Sequence, residues 1–196
     1  EAAGLVDGAL SAAHGVHLTD DELSRLAAAG TAVVHCPASN RALQVGAASV
    51  ASWLRHGVTA ALGIDSQGED APDMFAVMRE ALRTATELGD PLTPAQVFAM
   101  ATTGGAAALG DGRLGRLRPG GHADLVSLDV ATAVTRDEQV RGIVADGGRH
   151  AVRHVWVGGR AVVRDGHAVA DTVPARDRLE AALAADEAAR HARLAA

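Results

Sequence analysis

Two stretches decide the fold: Ala13-His14-Gly15-Val16-His17-Leu18 and Leu62-Gly63-Ile64-Asp65-Ser66. Each reads as a buried strand that stops at a side chain able to bind a metal or move a proton. An apolar run gives no reason to end in a charge, so Asp65 either caps the helix that follows or faces a ligand, and a lone aspartate after a strand more often caps a turn. His14 changes that balance. A carboxylate and an imidazole delivered from the ends of separate parallel strands converge on one centre in a barrel enzyme. Beside a divalent metal such a pair orients and deprotonates a bound water.

Working outward, short apolar runs alternate with helical periods over the first hundred residues, the pattern of strand–helix units with parallel strands, so the fold class is α/β. Ala9 to His14 predicts a strand, and Thr19-Asp20-Asp21-Glu22 a capping box opening a helix to about Ala29. Gly30 is placed to end that helix in a left-handed cap, and Thr31 to His35 predicts the next strand, ending at Cys36-Pro37. Val50, Trp53 and Leu54 have helical spacing before Gly57, and Val58 to Ile64 is a third strand running into Asp65. Pro72 suits a first helical turn; Met74, Val77, Met78, Ala81 and Leu82 then mark an apolar stripe that ends near Gly89. Thr93-Pro94-Ala95-Gln96 repeats the capping logic, with proline at the first helical position, and opens a helix predicted through about Leu109.

From Gly110 the character changes to glycine-rich turns and alternating strands: Ala123 to Leu128, Val152 to Val157, and Arg160 to Val163, the last two joined through Gly158-Gly159 as a hairpin. Ala131 to Gly148 has no strong period and reads as loop with one weak helix. Beyond Pro174, Leu179, Ala182 and Leu183 ride an arginine- and glutamate-rich helix to the terminus, with a face for its own protein or a partner subunit.

Bulk properties narrow the functions. A 48% apolar content is ample for a core, and a net charge of -6 with scattered basic residues argues against a nucleic-acid surface. All eighteen basic residues are arginine and tyrosine is absent, a bias in keeping with a GC-rich bacterial source. The single Cys36 makes no intrachain disulfide, and no run approaches the roughly 20 apolar residues that span a bilayer. Without a signal-peptide pattern in the first twenty residues, a cytoplasmic protein is expected. Residue 1 is Glu, and Glu1-Ala2-Ala3-Gly4-Leu5-Val6 reads like a protein interior, so the chain is expected to be a piece of a longer one.

Three other constellations compete for attention. His35 beside Cys36 has the composition of a Cys–His nucleophile, yet neighbours on a strand point to opposite faces. Gly110-Asp111-Gly112-Arg113-Leu114-Gly115 matches the dinucleotide-binding pattern formally but follows a helix instead of a strand, so its glycines read as a bend. His122, His150, His154 and His167 match no zinc spacing and read as solvated surface residues.

Taken together, Ala13-His14-Gly15-Val16-His17-Leu18-Thr19 with Glu22, His35-Cys36-Pro37-Ala38-Ser39-Asn40, Leu62-Gly63-Ile64-Asp65, and Asp73-Met74-Phe75 with Met78-Arg79 form a recognisable series. Ala101-Thr102, Gly105 to Gly110, Gly115-Arg116-Leu117-Arg118-Pro119-Gly120 and Ala123-Asp124-Leu125-Val126 extend it. The chain resembles the C-terminal part of an amidohydrolase-superfamily enzyme, in the branch of chlorohydrolases and of nucleobase and adenosylhomocysteine deaminases. The resemblance implies the last three strand–helix units, strands six to eight, of a (β/α)8 barrel over residues 1–109, a β-sandwich segment over 110–173 and a C-terminal helix over 174–196.

By the same resemblance His14 and Asp65 are catalytic. Asp65 holds a single divalent metal, zinc or alternatively iron, and shuttles a proton; His14 holds and polarises the attacking water or the tetrahedral centre. Hydroxide then attacks an amidine-like ring carbon, and ammonia or another group leaves. His17, Ser39, Asn40 and Glu69 become candidate substrate contacts. Glu69 stands where the adenosylhomocysteine deaminases carry a substrate-contacting serine, so adenosine-type specificity is not carried over. The family's paired histidines, its third metal histidine and its catalytic glutamate all fall upstream of Glu1. The expected partners are a small heterocyclic substrate, an N-terminal half of the barrel and further copies in a homo-oligomer, with no nucleic acid and no membrane. Two other readings stand beside the deaminase: a triazine-type chlorohydrolase or aminohydrolase, and a catalytically silent subunit that binds a partner half.

Overall fold

The computed structural model describes residues 6–65 and 73–169. Its first layer is a three-stranded parallel sheet in the order β1 (Ser11–Ala13), β2 (Ala32–His35), β3 (Thr59–Leu62). The ladder is in register from Ser11 opposite Ala32 to His35 opposite Leu62. It continues past the strands at the end that matters, because His14 N–H donates to the Val34 carbonyl at 2.9 Å and Gly63 N–H to the His35 carbonyl at 2.9 Å. Strand β1 is three residues long where the sequence predicts six, since Ala9 and Leu10 belong to the turn that feeds it.

Helices connect the strands as a parallel sheet requires. The Thr19–Glu22 capping box opens α1 (Asp20–Ala29), and Gly30 closes it at φ 73°. Pro37 starts a short α2 (Pro37–Ala42), a helix the sequence reading did not anticipate, and α3 (Val50–Arg55) leads to β3. Asp73 caps α4 (Met74–Glu87) by accepting from Ala76 N–H; Pro72, read as its first-turn residue, lies outside the described residues. One core forms where these elements meet, around Leu23, Val33, Trp53, Val77 and Val97, each at most 2% exposed.

The helix predicted from Thr93 to about Leu109 runs through that span but carries a π-helical segment in its middle. The Thr93 capping box opens α5 (Pro94–Ala99), a π-helical turn spans Met100–Gly104, and α6 (Gly105–Ala108) follows. The reason is contact with the sheet: any side chain at Gly104 would run into the Ala60 carbonyl of β3. The extra residue of a π turn brings that glycine onto the strand.

A four-stranded antiparallel sheet follows, in the order β4 (Leu125–Leu128), β5 (Val152–Val157), β6 (Arg160–Arg164), β7 (His167–Ala168). Gly158 and Gly159 turn the central hairpin at φ 56° and 77°, the left-handed pair that a two-residue hairpin favours. The segment expected to be mostly loop contains α7 (Arg136–Asp146), opened by a Thr135–Glu138 capping box and buried at Val144. Helix α7 packs on α4 and α5, and Arg79 of α4 donates to the Val144 and Gly147 carbonyls at 3.2 and 2.8 Å. The helix expected over 174–196 lies outside the described residues. Among the described residues no helix is long and apolar enough to cross a membrane.

Candidate active site

The site is built at the C-terminal ends of β1 and β3, two strands separated by β2. His14 is the first residue beyond β1 and Asp65 the third beyond β3. The backbone of both turns sharply, His14 at φ 69° and Asp65 at φ 65°, a left-handed conformation rarely adopted by residues other than glycine. Such strain persists only where surrounding structure enforces it, and it clusters at functional positions. Two glycines provide the enforcement. A Cβ on Gly15 would stand 2.8 Å from Trp53 Cζ2 and 2.9 Å from Val33 Cγ1, and one on Gly63 2.8 Å from Val34 Cγ1. The chain passes close against the core just beside each site residue.

The turn brings the two side chains together, with His14 Nε2 3.6 Å from Asp65 Oδ2 and each side chain a little over a third exposed. Helix α2 holds both from behind. Ser39 Oγ–H donates to Asp65 Oδ2 at 2.6 Å, and His14 Nδ1 meets Asn40 Oδ1 at 2.7 Å, where the amide oxygen can only accept. That bond places the Nδ1 proton and directs Nε2 toward the carboxylate. Ser39 and Asn40 were read as candidate substrate contacts; the structure buries them at 9% and 2% exposure, bonded to Asp65 and His14. The signal for this arrangement was Pro37, which fits the first turn of a helix and folds the next residues back over the strand ends. His17 is exposed and sits beside Gly46, its Cε1 3.8 Å from where a Cβ there would stand. Glu69 lies outside the described residues.

The neighbouring Cys36 and His35 form no nucleophile. Burial first, then the Asp65 charge, pushes the Cys36 thiol up, and its sulfur has a long contact of 3.9 Å to the Val34 carbonyl. His35 is 1% exposed and packs edge-on against Trp53 with ring centroids 5.8 Å apart. Burial lowers its pKa to about 4, so it is a neutral core imidazole at pH 7. The glycine-rich Gly110–Gly115 stretch follows a helix and holds turns, in which Asp111 accepts from Arg113 and His122. His154 lies against Trp156 with the two rings tilted, and His167 bonds the Asp165 carbonyl.

A divalent metal is compatible with the donor types present. Asp65 offers a carboxylate open to solvent on one side, and His14 an imidazole nitrogen on the same side. Metal sites want three or four protein ligands. No group of three His, Cys, Asp or Glu able to hold an ion occurs among the described residues, so these residues fit as part of a donor set completed from outside them.

Comparison with known proteins gives a consistent pattern. A family model described as "Amidohydrolase family" matches residues 1–162. A 5-methylthioadenosine/S-adenosylhomocysteine deaminase of the archaeon Haloarcula marismortui is 38% identical over 168 residues, which are 83% of this chain and 39% of that protein. A probable guanine deaminase of the bacterium Deinococcus radiodurans is 36% identical, over 83% of this chain and 40% of its own length. Among solved structures, a zinc-bound adenosine deaminase from Xanthomonas campestris superposes with a TM-score of 0.78 at 32% identity, over 91% of this chain and 44% of that one. An atrazine chlorohydrolase from Arthrobacter aurescens, complexed with zinc and atraton, superposes at 0.69 with 25% identity, over 93% of this chain and 41% of that one. The chain thus spans about two-fifths of the length of these relatives.

Proposed function

Because the chain belongs to the amidohydrolase family, we propose that it is the C-terminal portion of a metal-dependent hydrolase of C–N bonds, a deaminase of an aminated heterocycle. In this reading β1 to β3 are the last three barrel strands, residues 110–173 are the sandwich segment, and an upstream half supplies the remaining ligands. The observation that carries it is the 3.6 Å approach of His14 Nε2 to Asp65 Oδ2 from the ends of two strands of one parallel sheet. The relatives' names support the substrate class, and the zinc in two of the similar structures supports a divalent metal, zinc first and iron second.

The metal, held in part by Asp65, would supply a water acidified toward neutral pH. The chain's own residues do the rest. Asp65 Oδ2 takes a proton from the attacking water and returns it to the departing nitrogen, so that ammonia leaves and the ring gains a carbonyl. His14, when protonated at Nε2 as well as Nδ1, donates from Nε2 to that oxygen, holds it in line for the ring carbon and stabilises the charge that develops on it. Ser39 keeps Oδ2 oriented and Asn40 keeps the imidazole oriented, both from buried positions.

The deaminase is preferred to the triazine hydrolase because the adenosine deaminase match is closer in sequence and in shape, 32% and 0.78 against 25% and 0.69. The competing silent subunit is separated by assay. The full-length protein, loaded with zinc, should release ammonia from aminopurines or aminopyrimidines; a properly folded, metal-loaded protein that releases neither ammonia nor chloride from any ring would overturn the enzyme reading. A cytoplasmic site of action and a homo-oligomeric state belong to the same proposal, and gel filtration of the full-length protein tests the latter.

A further inference from the structure

Helix α2 carries both residues that brace the catalytic pair, Ser39 toward Asp65 and Asn40 toward His14. It is six residues long, well below the roughly 12–15 at which a helix holds itself together in water, so its position is set from outside. Burial of Pro37, Ser39 and Asn40 fixes its first half. From there the chain comes out of the core, and residues 41–47 are all exposed. Close packing does not fix this second half. Helices α2 and α4 leave a cavity of about 300 Å³ between them, walled by Pro37, Asn40 and Arg41 on one side and by Thr84 and Glu87 on the other. Dispersion attraction is lost across such a gap.

Charge spans the gap instead. Arg41 Nε donates to Glu80 Oε1 at 2.7 Å and Arg41 Nη2 to Glu87 Oε2 at 2.6 Å, so one guanidinium grips two carboxylates two turns apart on α4. Arg83, between them on the same helix, donates to both carboxylates as well, at 2.6 and 3.3 Å, which limits their freedom to turn away. A lone exposed ion pair contributes little; a planar fork within a network of four charges does fix a geometry. The anchored end is tied back to the bracing residues, because Leu43 N–H donates to the Ser39 carbonyl at 2.9 Å and Val45 N–H to the Asn40 carbonyl at 3.2 Å. We propose that Arg41 is a positioning residue for the catalytic pair. Its fork on Glu80 and Glu87 sets the spacing of α2 from α4, and α2 in turn places Ser39 against Asp65 and Asn40 against His14.

This inference rests on the proposed hydrolase for its kinetic consequence, but the placement of α2 is read without any activity. Arg41→Gln in the full-length protein keeps a polar side chain and removes the charge. Its crystal structure, set beside that of the wild type, should show α2 displaced relative to α4, with the Ser39–Asp65 and Asn40–His14 bonds lengthened or lost. Both bonds kept at their wild-type lengths overturn the proposal, whether or not the protein turns out to be a deaminase. In the active enzyme, Arg41→Gln should lower kcat about tenfold with KM unchanged, the low end of the range for residues that support a metal site from outside its ligands. Wild-type kcat in this variant, or a loss confined to KM, overturns the positioning role. If Arg41→Gln does not fold, Glu87→Gln takes its place: it weakens the same bridge from the α4 side and should displace α2 and lower kcat in the same direction, and unchanged bonds with unchanged kcat overturn the proposal.

Discussion

Ser39 Oγ–H donates to Asp65 Oδ2 at 2.6 Å, although the two residues sit on different strand–helix units. One carboxylate oxygen is thereby oriented from behind while the other face stays open. Supporting hydrogen bonds of this kind are worth roughly 10–100-fold in metal affinity or activity at metal sites. Ser39→Ala in the full-length enzyme should lower kcat/KM by about that factor while shifting unfolding by no more than about 1 kcal/mol. Steady-state kinetics with a urea melt on the same preparation measure both, and unchanged kcat/KM would remove Ser39 from the site.

Asn40 is the more deeply buried of the pair, and removing its oxygen leaves His14 Nδ1 without an acceptor. Asn40→Ala should therefore cost both activity and about 1–3 kcal/mol of stability, the range for a buried polar group that loses its partner. A substrate contact would behave differently, raising KM with stability untouched.

Acid sensitivity should carry the signature of His35. Burial lowers its pKa from 6.5 to about 4, so below 6.5 the unfolded chain takes up a proton that the folded chain refuses. The stabilisation is complete above about pH 6.5 and is lost as pH falls through about 4, a contribution of up to about 3 kcal/mol. Urea midpoints of wild type and His35→Gln, compared at pH 7 and pH 4.5, should show the steeper loss in wild type. Parallel losses would mean that other groups govern the acid limb.

Gly15 allows the backbone beside His14 to lie against Trp53 and Val33. Gly15→Ala meets both a positive φ of 58° and a crowded core, and should destabilise by about 1–3 kcal/mol and misplace His14. Gly57→Ala is the control. Its φ is 78° but nothing lies within 4 Å of the added Cβ, so only the backbone cost of about 1 kcal/mol is expected.

Much of this was legible in the residues. The Thr19 and Thr93 capping boxes, the left-handed Gly30 and the Gly158-Gly159 hairpin are local devices, and each was found where its sequence put it. The meeting of His14 with Asp65 was legible because strand ends of a parallel sheet share one rim. Other features were not, for particular reasons. The π turn at Met100–Gly104 answers to the Ala60 carbonyl, a contact between Gly104 and a strand far back along the chain. Helix α7 was expected as one weak helix, but its bounds were not legible because its apolar residues are poorly segregated; the capping box at Thr135 and Glu138 marks its start. The bonds of Ser39 and Asn40 to Asp65 and His14 were not legible, because polarity next to a site is the same in sequence whether a side chain faces the ligand or braces the residues that do.

The most direct measurement is the metal content of the full-length protein and its Asp65→Asn variant, determined alongside ammonia release. A carboxylate that holds the ion and carries the proton predicts about one zinc or iron per site in wild type, with metal and turnover both lost in the variant. A folded Asp65→Asn protein that keeps its full complement of metal and its turnover would contradict the assignment.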